Sequence, residues 1–126
     1  MVEGGNQASR QAYLSQFQGG TVHLLSSANA VSDADTTITS DAQTTTATGD
    51  WTITHDNTNG TSTLENTSII DFGRPSGFVV DQIVIQNPNN SQEFLIDNSP
   101  TGDTDLSGDG TTSLPANNAS FTFGGE

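Results

Sequence analysis

The sequence has 126 residues with 15 acidic and 2 basic side chains, a formal net charge of −13, no Cys and 30% hydrophobic residues. This excludes a disulfide framework and thiol chemistry, and two arginines, Arg10 and Arg74, supply no basic patch for nucleic-acid phosphates. The length suits one domain of about 100–150 residues, no apolar run approaches the ~20 residues of a membrane span, and the core is thin beside the roughly 45–50% apolar content of ordinary domains, Gly included.

Lys is absent and Asp outnumbers Glu. Such a surface repels itself at ordinary ionic strength, whereas at molar salt the screening length is about 3 Å. The composition therefore points to a salt-rich medium and a halophilic source. The opening Met-Val-Glu-Gly-Gly lacks the basic and apolar regions of a secretory leader. Any exit from the cell is expected through lysis or assembly into a particle.

In chain order, residues 1–8 read as a polar lead. Residues 8–18 predict the one helix: Ala, Arg, Gln and Leu favour it, and Tyr13, Leu14 and Phe17 form an apolar stripe. Gly19-Gly20 ends it. A helix this short is marginal alone in water, so it is expected to dock, either on its own sheets or on a neighbouring subunit. Tyr13, Leu14 and Phe17 are the candidate assembly residues. Thr21–Ser26 predicts the first strand. Residues 27–50 form a long polar loop, with an edge strand expected near Thr37-Ile38-Thr39. Trp51–His55 alternates as a half-buried strand, and Asp56–Gly60 is a hairpin turn in which Asn-Gly supplies positive φ. Thr61–Glu65 returns from that turn, and Thr67–Phe72 continues it or pairs elsewhere.

The longest apolar run, Phe78–Gln86, lies between turn-forming Arg74–Gly77 and Asn87–Asn90. Branched residues on both parities predict a central strand covered on each face, with Ile83 and Val84 buried against different layers. Gln92–Asp97 completes a hairpin with it. Residues 98–110 form an acidic Gly-rich loop, and Ser113–Pro115 and Ala119–Phe123 close the chain. Short strands separated by turns predict an all-β fold: an antiparallel β-sandwich or jelly roll with one short N-terminal helix. The expected organisation is a lead and docking helix over 1–19, then a single β-sandwich domain over 20–126.

Few residues suggest chemistry. Asp103, Asp105, Ser107 and Asp109 alternate around Gly108 like the start of a calcium or magnesium loop. Leu114 stands where a closing bidentate Glu belongs, and an acidic solvated loop accounts for the same residues. No other cofactor is expected. His23 has no ligand cluster near it in sequence. His55 and Asp56 are neighbours on a strand and so point to opposite faces. Asn59, Asn66, Asn89 and Asn118 each begin a glycosylation sequon, of a kind expected by chance in a Ser/Thr-rich chain. No nucleophile elbow or phosphate-cradling glycine motif occurs.

The order of these features carries a resemblance. A helix ends in Gly19-Gly20 and leads straight into Thr21–Leu25. A Gly precedes the strand Phe78–Ile85, and a short turn leads to Phe94-Leu95-Ile96. Gly108-Asp109 and Ser113-Leu114-Pro115-Ala116 mark the closing segment. In this order the chain resembles a family of small tailed-phage structural proteins described as tail-fibre or capsid-fibre-like. Asn117 stands where that family has Gly, and residues 27–50 lack its Tyr/Arg-containing segment. The resemblance implies a β-sandwich virion component used in many copies, without enzymatic activity. The expected function is a virion structural protein of a tailed virus with a halophilic host, forming a capsid decoration, turret, tail or baseplate part. Its partners would be itself, as a trimer or pentamer, and other virion proteins, with no nucleic acid or membrane. The alternative is a host-recognition module that binds surface glycan or S-layer through loops 27–50 and 98–110.

Overall fold

The computed structural model describes residues 5–100, 104–108, 113–114 and 119–124. Helix α1 spans Gln7–Ser15. Asn6 caps it, its side-chain oxygen accepting from the Ser9 backbone N–H at 3.0 Å. The helix ends earlier than the expected 8–18, at Ser15 with Gln16 as its C-cap, and turns carry the chain on to Gly19, which takes a φ of 80°. Gly20 is required for a different reason: a Cβ there would collide with the Gln86 carbonyl oxygen.

The rest is antiparallel β-structure. Strand β1 (Thr21–Leu25) lies between β2 (Ala42–Thr45) and β7 (Gln82–Gln86), and β8 (Phe94–Asp97) flanks β7, giving the order β2-β1-β7-β8. A second sheet has the order β11-β4-β3, from β3 (Trp51–Asp56), β4 (Thr61–Asn66) and β11 (Ser120–Gly124). Two short pairs complete the described residues: β5 (Ile70–Asp71) with β10 (Ser113–Leu114), and β6 (Phe78–Val79) with β9 (Asp105–Leu106). The β3–β4 turn forms as its residues require. Asp56 accepts from the Thr58 and Asn59 N–H groups, and Gly60 takes a φ of 70°.

Alternation along the strands builds the core. Val22 and Leu24 of β1 face Ile85 and Ile83 of β7 in register. They share one apolar cluster with Leu64, Trp51 and Phe121 of the second sheet, with Leu14 of α1 and with Phe17 of the turn after it. The other parity of the first sheet, Leu25 and Val84, is covered separately by Val31 and Ile38 from the loop after β1 and by Phe94 and Ile96 of β8. Ile83 and Val84 are therefore buried against different layers, as expected, and both covers lie within the chain.

Two expectations are corrected. The apolar run at 78–86 is not one strand. Phe78–Val79 pairs with β9, and the chain then changes partners: Val80 N–H donates to Thr104 O at 2.7 Å and Asp81 N–H to Leu25 O at 2.8 Å. Only Gln82–Gln86 is the central strand, and Val79, before the crossing, is 51% exposed. The edge strand expected at 37–39 forms instead at Ala42–Thr45, where Thr45, Thr44, Gln43 and Ala42 pair with Thr21 to Leu24. Ile38 is drawn away to cover the second cluster.

Candidate functional site

Three segments meet at a groove of about 270 Å³. Helix α1 contributes Tyr13, the turn after it Phe17, and β8 Phe94 and Ile96, which together supply the groove's apolar lining. The loop after β1 contributes Asp33 and Asp35, and the β7–β8 turn contributes Glu93, adding three carboxylates to that lining.

Each segment is held by side chains whose role the local sequence hides. The loop is tied down by Gln82, a buried amide on the outer face of β7. Its Oε1 accepts from Val31 N–H at 2.8 Å, and its Nε2 donates to Val31 O at 2.9 Å and Asn98 Oδ1 at 2.7 Å. Asp41 fixes the loop's far end, accepting from Ser26 N–H at 2.6 Å and the Asn29 amide at 3.1 Å. Burial pushes the Asp41 carboxyl up, but these hydrogen bonds outweigh it and hold it below its ordinary value. Asp35 closes the turn that presents Asp33, accepting from Ser32 N–H at 2.7 Å. Glu93 accepts from the Asn87 amide at 3.0 Å, which orders the β7–β8 turn.

Helix α1 is fixed by Arg10, which is only 3% exposed. Its Nε donates to Ser62 Oγ at 2.9 Å, and its two terminal nitrogens donate to Gly5 O at 2.8 Å and Asn57 Oδ1 at 2.7 Å. The helix thus docks on its own sheets. Leu14 and Phe17 lie 0% and 2% exposed in the main core, while Tyr13 stays 36% exposed at the groove, stacked on Phe123 at a centroid distance of 4.3 Å. Of the three candidate assembly residues, Tyr13 alone has substantial surface to offer. Burial, and secondarily the charge of Glu93, raise its hydroxyl pKa, so it is a neutral phenol at physiological pH.

The remaining candidates sit elsewhere. Asp103 and Asp109 lie outside the described residues. Asp105 is turned onto Ser107, accepting from its hydroxyl at 2.6 Å. Among the described residues no group of three or more His, Cys, Asp or Glu side chains is placed to hold a metal ion. His55 Nδ1 meets Ser62 Oγ at 2.7 Å and its Nε2 meets Gln11 Oε1 at 3.0 Å, while Asp56 is engaged with Asn59 in the turn. Ser62 is buried and also accepts from Arg10, so this Ser–His contact links helix to hairpin and offers no open hydroxyl to a substrate. Asn66 is buried, its Oδ1 accepting from Ala119 N–H at 3.1 Å. Asn59 and Asn89 are exposed, and Asn118 lies outside the described residues.

The groove is lined by aromatic residues and carboxylates and has no basic lining residue. That chemistry suits an organic cation, which is attracted by ring faces and charge-assisted hydrogen bonds together. No family model matches the chain, and no match is found among curated proteins or solved structures.

Proposed function

We propose that the chain is a virion structural protein of a tailed virus with a halophilic host, a jelly-roll-like antiparallel sandwich that acts by assembly. It would form an oligomeric capsid decoration, turret, or tail or baseplate component. The observation that carries this reading is the groove between α1, β8 and the loop after β1. It is an acid-rimmed aromatic seat on a chain with net charge −13, suited to receiving a cationic segment of another subunit. The order of the helix, Gly19-Gly20, the central strand and the closing segment supports the virion setting through its resemblance to tail-fibre-like proteins. Copy-number proteomics of purified particles tests it. The chain is expected at a fixed, high, symmetric copy number, and its absence from purified particles would overturn the reading.

A second reading has one observation in its favour. The loop within 27–50 supplies Ser32, Asp33 and Asp35 to the same groove, as a module for host glycan or S-layer would require. Titration with host surface polysaccharide, followed by chemical shifts of Tyr13 and Phe94, separates the two.

A further inference from the structure

The sequence holds two basic side chains, and the fold treats them oppositely. Arg10 is buried with all three guanidinium nitrogens bonded within the chain. Arg74 is exposed, and no hydrogen bond or ion pair holds it among the described residues. It is presented on a tight loop: Gly73 and Gly77 take φ of 78° and 89°, Gly73 N–H donates to Asp71 Oδ1 at 2.8 Å, and Pro75 follows with its fixed φ.

We infer that the groove lined by Tyr13, Phe94, Asp33, Asp35 and Glu93 receives Arg74 of a second copy of this chain. This rests on the assembly role proposed above and names the contact that performs it. A guanidinium is planar, so it stacks on an aromatic face while its edge reaches carboxylates in a fork. The groove is lined by rings and carboxylates together, with Phe94 half-buried and the Tyr13 ring already stacked on Phe123, and Arg74 is the one exposed Arg or Lys side chain. Salt favours this mode over a long-range field. At molar ionic strength exposed charges more than about 3 Å apart are largely screened, and partly buried contact pairs are screened much less. The contact joins unlike residues, so it is either made twice about a twofold axis or is heterologous. A heterologous contact closes into rings or continues into filaments.

The absence of Lys makes a direct test available. Arg74→Lys introduces the only side-chain amine, so carbodiimide coupling in molar NaCl reports which carboxylate position 74 touches. The expected result is an intermolecular cross-link from position 74 to Asp33, Asp35 or Glu93. Sedimentation of the full chain supplies the second readout. Arg74→Ala and Asp33→Arg should each weaken self-association about tenfold or more with unchanged melting temperature, and Arg74→Asp combined with Asp33→Arg should restore it. Oligomers unaffected by Arg74→Ala, or cross-links confined to other carboxylates, overturn the Arg74 contact and leave assembly standing. The same holds if arginine amide binds the groove without displacing the oligomer. A wild-type chain that stays monomeric at every salt concentration overturns both.

Discussion

Arg10 puts a permanent charge inside a chain with little apolar material, and its acceptors are neutral oxygens of Ser62, Gly5 and Asn57. Its value lies in joining the helix to the β3–β4 hairpin at one point. Hydrogen bonds to charged groups contribute about 1.5–3 kcal/mol each before the losses of desolvation. Arg10→Ala is therefore expected to destabilise the fold by about 2–4 kcal/mol in denaturant titration, loosening Tyr13 as it does so. Nothing near residue 10 announces this role. Its side-chain partners are Ser62 and Asn57, far along the chain, so helix propensity was the only legible property. His23 offers a pH test. It is buried beside Gln86, and burial lowers its pKa. In the unfolded chain it protonates near about 6.5, while in the fold it resists protonation. Its contribution is thus complete above that pH and is lost as pH falls through it towards the lowered folded value. Melting temperature should drop from pH 7.5 to 5.5, and His23→Gln should flatten that slope. The depressed carboxyls of Asp41, Asp56 and Asp105 lose their contributions only at more acidic pH.

At the scale of elements, the first sheet is organised by β7, whose two parities enter separate clusters. Ile83→Ala should cost about 2–5 kcal/mol by opening the main core. Val84→Ala should cost about 1.5–3 kcal/mol, and because its cover is the chain's own loop, the loss is expected in monomer folding. Gly20→Ala should be severe for its small size, since the Cβ meets backbone and no flexible side chain can yield. The helix, the hairpin at 56–60 and the burial of both faces of 83–85 were legible because each is specified locally, by capping, turn chemistry and branched residues. The break at Val80–Asp81 was not. The apolar pattern continues through it, and only the competing partners, Thr104 on one side and Leu25 on the other, divide the run. Strand β2 escaped for the converse reason: Ala42–Thr45 has no apolar alternation, and β1 recruits it through backbone pairing.

Across the whole molecule, acidic side chains and hydroxyls cover a small two-cluster core. The outward parity of the second sheet carries Thr52, Thr54, Thr63 and Thr122, with Thr63 and Thr122 hydroxyls 3.0 Å apart. Charge was fully legible in composition, whereas the groove was not, because its carboxylates and rings come from segments that only the fold brings together. Self-repulsion predicts a melting temperature that rises from about 0.1 M to several molar NaCl as screening takes hold. A flat or falling trend would contradict adaptation to salt. The central claim is that this chain works by assembling with itself, and sedimentation equilibrium of the full chain in molar NaCl tests it most directly. Self-association to a closed species of three or five times the 13.1 kDa monomer is the predicted result, and a monomer that persists at every protein and salt concentration would contradict it.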